Sequence, residues 1–186
     1  MSHKFLLRHF KPVLLVIDVQ EKLIPGIFKW QLLVDNLVRL ISGLTRLNIP
    51  IIVTEQNPAG LGVTIGRISE LVAAGGIPLQ KMTFSSLDSL ECAKSIVRPE
   101  PDSYYILTGV ESHVCVLQTA LSLAESEARC GVVVDCVGSR TEMNLTYALK
   151  RMEKAGIDLL TTEMVLFEIL GSCRHPDFKS ILKIIK

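Results

Sequence analysis

Short apolar runs recur along this chain, at Val13 to Ile17, Pro50 to Thr54, Tyr104 to Thr108, Val132 to Val134 and Ile157 to Thr161, and stretches with helical spacing lie between them. The runs are continuous and do not alternate polar with apolar residues. Continuous hydrophobicity marks strands covered on both faces, so the pattern predicts βαβ units and a parallel sheet with helices on each side. The fold class is α/β, a three-layer α/β/α sandwich. Ile77 to Met82 is a sixth, short strand that leads into a loop.

Between the strands, Trp30 to Leu47 places Leu33, Leu37, Leu40, Ile41 and Leu44 on one helix face, and Asn48-Ile49-Pro50 stops it. Thr141 to Lys154 reads as a second helix ending near Gly156. Asn57 to Gly66 is rich in Gly and Pro without periodicity, and is expected to be a loop at the carboxyl end of the second strand. Internal repeats, low-complexity tracts and linkers are lacking, so residues 1–186 are expected to form a single domain.

Composition narrows the partner. Lys and Arg total 20 against 19 for Asp and Glu, a net charge of +1, which offers no broad electrostatic footprint for nucleic acid or anionic lipid. A small molecule is the expected partner. The five cysteines, Cys92, Cys115, Cys130, Cys136 and Cys173, show no CxxC pairing and are expected to be reduced, in the cytoplasm. The basic, partly apolar opening MSHKFLLRHFK reads as ordinary N-terminal sequence, with mitochondrial import as the alternative. No apolar run approaches the roughly 20 residues that a membrane-spanning helix needs.

In a parallel sheet, reactive groups collect beyond the carboxyl ends of the strands, where neighbouring connections diverge. Three residues are expected there. Asp18 follows the first apolar run, Lys81 follows Ile77-Pro78-Leu79-Gln80, and Cys115 lies just past Ile106-Leu107-Thr108-Gly109, where a helix should begin. Read singly, Asp18 is a cap for a helix starting near Gln20, Lys81 a solvated lysine, and Cys115 a small buried residue. Read together they make a nucleophile. A helix N-terminus and a nearby lysine both favour a thiolate, whereas an unperturbed thiol with a pKa of about 8.5 is only a few per cent ionised at neutral pH.

Ile17-Asp18-Val19-Gln20, Lys81-Met82-Thr83-Phe84-Ser85, and Gly109-Val110-Glu111-Ser112-His113-Val114-Cys115 with Gln118-Thr119-Ala120 resemble the three motifs of the isochorismatase-like cysteine hydrolases. The likeness runs from Val13 to about Leu170. Thr54-Glu55-Gln56 and Gly60-Leu61-Gly62 resemble the isochorismatase domain-containing branch, including its second vertebrate member, more than the nicotinamidases. The resemblance implies a six-stranded, mostly parallel, Rossmann-like sheet of order 3-2-1-4-5-6, with Asp18, Lys81 and Cys115 as a catalytic triad. It also implies a cis peptide between Val110 and Glu111, turning the backbone N–H groups of Glu111 and Cys115 into an oxyanion hole.

The implied reaction is hydrolysis of a C–N, amide-type bond through a thioester, with Asp18 moving the proton of Cys115. Gln20, Gln56 and Phe84 are expected to line the substrate pocket, and Trp30 is either a pocket residue or a core or interface residue. No metal and no cofactor are expected. The nicotinamidase metal ligands have no counterpart in Thr54-Glu55-Gln56-Asn57-Pro58, and His113 and His175 read as surface or hydrogen-bonded histidines. Nicotinamide and isochorismate are both disfavoured, the latter because isochorismatases proper do not use the cysteine. The family likeness implies a homo-oligomer, a dimer or tetramer, with the apolar segment Phe178 to Ile185 as a contact surface. The other four cysteines are expected to pack, and Arg129, Arg140, Lys150 and Arg151 to form a solvated or subunit-facing surface.

Three other classes compete. A dinucleotide-binding oxidoreductase fails because Asp18-Val19-Gln20-Glu21-Lys22 lacks the glycines that admit a pyrophosphate. A nuclease has little support in a near-neutral chain. A catalytically lapsed scaffold used for oligomerisation or protein binding is the alternative that the motifs alone leave open.

Overall fold

The computed structural model of the protein describes residues 5–73, 77–97 and 102–186; residues 1–4 of the basic opening lie outside them. Six parallel strands form one sheet: β1 (Lys11–Ile17), β2 (Ile51–Gln56), β3 (Leu79–Lys81), β4 (Ser103–Val110), β5 (Arg129–Gly138) and β6 (Asp158–Leu160). Their order is β3-β2-β1-β4-β5-β6, as the family likeness implied.

The continuous apolar runs have a direct explanation in the two cores. Along β1, Leu14 and Val16 enter one core, while Val13, Leu15 and Ile17 enter the other. Tyr104 and Ile106 of β4 likewise face one side, and Tyr105 and Leu107 the other. On the first face pack α1 (Trp30–Arg46), α3 (Gly66–Val72), α7 (Thr162–Leu170) and α8 (Phe178–Ile185). On the second pack α4 (Leu90–Ile96), α5 (Leu117–Glu125) and α6 (Glu142–Lys154). The helix face expected on α1, from Leu33 to Leu44, is buried, and Thr141 caps α6 by accepting the N–H of Asn144.

Several expectations need correction. Asn57 to Gly66 is not wholly irregular: Pro58–Leu61 make one helical turn, α2, which proline can open because the first helical N–H has no partner to lose. β5 runs well past Val132 to Val134, because its bulged pairing with β4 resumes at Val137 and Gly138. The apolar residues Phe178, Ile181, Ile184 and Ile185 of α8 pack onto the protein's own core and are not left free as a contact surface. Cys173 is exposed and has no packing role. Trp30 is half-buried against the first core. No helix among the described residues is long and apolar enough to cross a membrane.

The strand order reverses between β1 and β4, so their carboxyl ends flank the natural crevice of this sheet. Gly109 brings them together. Its φ is +129°, and a Cβ there would lie 2.1 Å from the Ile17 carbonyl oxygen. Only glycine allows so close an approach.

Candidate active site

Three non-glycine residues with left-handed backbone sit at this end of the sheet: Asp18 after β1 (φ 54°), Asn57 after β2 (φ 40°) and Glu111 after β4 (φ 57°). Such conformations are uncommon for non-glycine residues and cluster at functional sites. Each ends a strand abruptly and turns the chain across the edge of the sheet. Asp18 is therefore not a helix cap, for Gln20 that follows it bridges to Thr64.

Asp18 is fully buried and paired. Lys81 Nζ donates to its Oδ2 at 2.6 Å, and Thr54 Oγ1 donates to its Oδ1 at 2.7 Å. Lys81 is as deeply buried, and its remaining protons go to the carbonyl oxygens of Thr83 at 3.2 Å and Phe84 at 3.1 Å. Register places them together: Thr54 of β2 pairs with Ile17 of β1, and Lys81 of β3 pairs with Gln56 of β2.

Cys115 lies in a π-helical turn, Ser112–Val116, that leads into α5. Turns of this kind recur at functional sites. Cys115 is 2% exposed, and its S–H donates to Gln56 Oε1 at 3.0 Å. Burial pushes the thiol pKa far up. The charge of Asp18 and its hydrogen bond to the thiol push the same way, Glu111 adds to them, and Lys81 opposes. These effects favour the thiol form of Cys115, whereas the sequence pointed to a thiolate favoured by helix and lysine. Two causes account for this: the group is out of water, and the lysine's positive charge is taken up by Asp18.

Gln56 is half-buried over the sulfur. Its backbone is clamped by Gln20, whose Oε1 accepts the Gln56 N–H at 2.8 Å and whose Nε2 donates to the Gln56 carbonyl at 3.0 Å and to that of Gly62 at 2.6 Å. Gln20 is fully buried and uses its carboxamide in these bonds, so it braces the site from behind instead of facing a pocket. Phe84 is 52% exposed. Beside it a recess of about 380 Å³ is lined by Pro58, Gln80, Lys81, Met82, Thr83 and Ser89. A cavity of about 570 Å³ opens at the opposite, amino end of the strands, around Tyr104, Arg129 and Asp158, away from this chemistry.

No cis peptide occurs among the described residues, so the Val110–Glu111 bond is trans. The sharp turn is made by the left-handed Glu111, whose carbonyl accepts the N–H of Val114 at 2.7 Å. Two residues that the pattern of the chain left at the surface belong to this turn. Arg140 grips Glu111 with two bonds of 2.9 Å, and His113 Nδ1 lies 3.0 Å from Ser139 Oγ. His175 Nδ1 accepts the N–H of Asp177. The hydroxyl of Ser112 is buried without a hydrogen-bond partner among the described residues. Thr54 carried a legible signal, a hydroxyl ending an apolar strand; Arg140 carried none. Among the described residues no group of three His, Cys, Asp or Glu side chains is arranged to hold a metal ion.

The thiols also set a pH limit on stability. Burial raises Cys130 from 9.0 to about 12, and raises Cys115 and Cys136 further. The unfolded chain therefore releases these protons first, and stability that is complete below about pH 8.5 is lost as pH rises through 9 to 12. Urea unfolding at pH 7.5 and pH 10.5 is expected to show a loss of a few kcal/mol; equal midpoints would contradict it.

The isochorismatase domain model matches residues 12–164. Isochorismatase domain-containing protein 2 of Danio rerio is 39% identical over 175 residues, covering 93% of this chain and 86% of that protein. A structure described as MAR1 ribonuclease from Caenorhabditis elegans has a TM-score of 0.87 at 36% identity, covering 96% of this chain and 91% of the other. The YcaC product of Escherichia coli, described as an octameric hydrolase of unknown specificity, shares the fold with a TM-score of 0.85 at 22% identity, covering 98% of this chain and 97% of its own. With a family model spanning most of the chain and a relative this similar over almost its whole length, the protein belongs to the isochorismatase-like cysteine hydrolase superfamily, in the branch of isochorismatase domain-containing protein 2.

Proposed function

We propose that the protein hydrolyses a C–N, amide-type bond of a small molecule through a thioester on Cys115. The observation that carries this reading is the buried Asp18–Lys81 pair set against a protonated, buried thiol. A base held ready beside a neutral thiol suits proton transfer during attack better than a standing thiolate does.

In this mechanism the substrate enters past Phe84 and displaces the Gln56 carboxamide from the sulfur. Asp18 takes the thiol proton as sulfur bonds to the carbonyl carbon, while Lys81 keeps the carboxylate oriented. The N–H groups of Glu111 and Cys115 receive the negative charge on the carbonyl oxygen, without need of a cis bond. Collapse breaks the C–N bond, and Asp18 passes the proton to the departing amine. Water, giving a proton to Asp18, attacks the thioester; the acid leaves and the proton returns to sulfur. The residues need no cofactor for these steps.

Self-association and a reducing, cytoplasmic setting complete the proposal; five free cysteines suit the latter, and Met143 and Tyr147, both exposed on α6, suit the former.

The test is ammonia or amine release from a panel of small amides and carbamoyl compounds. The wild-type protein is expected to turn over at least one of them and Cys115→Ala none; comparable rates in the two would discard the assignment. RNA belongs in the same panel, given the description of the Caenorhabditis elegans relative. RNA cleavage that survives in Cys115→Ala would replace this reading with a nuclease, and no turnover of any compound would favour the lapsed scaffold.

A further inference from the structure

The turn that carries Cys115 is braced from one direction. Val110 at the end of β4 pairs with Gly138 at the end of β5, so Ser139 and Arg140 abut Glu111 and the residues after it. Three ties follow from that adjacency. Arg140 Nε and Nη2 each donate to Glu111 at 2.9 Å, His113 meets the Ser139 hydroxyl, and the Ser139 carbonyl accepts the N–H of Phe28 at 2.9 Å, anchoring the brace to the segment before α1.

The pairing solves a problem that the nucleophile creates. The Glu111 side chain is only 11% exposed, so its carboxylate requires a partner. It must also hold its backbone in the left-handed region while its negative charge acts on the thiol. A two-pronged guanidinium contact restrains orientation as well as charge, which a lysine ammonium does not do. The Arg140 side chain is 63% exposed, so its own charge stays hydrated.

We propose that Arg140 is a positioning residue for the nucleophile: by gripping Glu111 it holds the turn whose amides face the substrate oxygen and offsets part of the charge that Glu111 presents to Cys115. The first half rests on the reading of Cys115 as an amide-cleaving nucleophile; the second concerns the thiol itself and stands apart from any substrate. The charged groups acting on that thiol are Asp18 from β1, Lys81 from β3 and Glu111 from the end of β4; Glu111 in turn faces Arg140 and, at 4.0 Å, His113 Nε2.

The probe is iodoacetamide, whose carbon bonds to the Cys115 sulfur as iodide leaves and the thiol proton passes to solvent. The adduct at Cys115 is followed by peptide mass spectrometry across pH 6 to 10, because exposed Cys173 also reacts. At pH 8, Arg140→Gln is expected to alkylate about three- to tenfold more slowly than wild type, since Glu111 is then uncompensated. Glu111→Gln is expected to move the opposite way by a similar factor, and the double variant to return toward wild type. Arg140→Lys should restore much of the alkylation rate. A purely structural brace predicts the same sign for both single variants, so equal directions, or an unchanged rate in Arg140→Gln, would overturn the proposal. If Arg140→Gln does not fold by circular dichroism, Glu111→Gln and Arg140→Lys decide it alone. Failure of every amide substrate would remove the hydrolytic reading and leave these alkylation rates to judge the charge effect.

Discussion

Asp18→Asn is expected to reduce turnover by roughly 10²–10⁴-fold and to lower stability by about 3 kcal/mol, two losses with separate causes. The catalytic loss follows from basicity: an amide at this position cannot take the proton from Cys115. The stability loss follows from Lys81, whose ammonium is fully buried and would keep its bonds to the Thr83 and Phe84 carbonyls but lose its counter-charge. Breaking one half of a buried ion pair is far more destabilising than replacing both halves with neutral groups. Asp18→Asn combined with Lys81→Met is therefore expected to recover much of the stability and none of the activity. Urea unfolding and amine release measured on the same preparations check this. A single variant as stable as wild type, or a double variant that regains turnover, would show that the pair does something else.

Gly109→Ala is expected to cost at least about 3 kcal/mol and to remove activity without touching any reactive group. The added Cβ would lie 2.1 Å from the Ile17 carbonyl oxygen and 2.8 Å from the Ile17 nitrogen and carbonyl carbon, all of them backbone atoms that cannot rotate aside. β1 and β4 would have to separate at the point where Asp18 leaves one and Glu111 leaves the other. Gly156→Ala supplies the control. Gly156 also has positive φ, at +81°, but nothing lies within 4 Å of its Cβ position, so only conformational strain of about 1 kcal/mol is expected. Equal thermal shifts for the two variants would refute the argument from close approach.

The path from residues to site was legible in parts. The runs at Val13 and Tyr104 announced strands because both faces of each are buried, and that burial leaves a mark in every residue; the run at Pro50 is buried only at its carboxyl half, where Val53 and Thr54 lie. Asp18, Lys81 and Cys115 could be singled out because each stands where such a run stops. Gln20 and Gln56 looked alike in the sequence, as amides near strand ends, and only register shows that Gln20 clamps backbone while Gln56 reaches the sulfur. Arg140 was unreadable, because an arginine after a strand looks the same whether it meets water or a buried glutamate.

Hydrophobic periodicity by itself determined the α/β class and marked Asp18, Lys81 and Cys115 at strand ends, since each position's own burial and chemistry are written in its side chain; the six-stranded order came from the likeness of the three motifs to a known family. Tertiary structure alone decided that Lys81 pairs with Asp18, that Cys115 meets Gln56, and that Glu111 turns through a left-handed conformation gripped by Arg140. Those outcomes depend on distances of a few ångströms between atoms on different strands, where Coulomb and hydrogen-bond energies change steeply, and no property of a single residue encodes them.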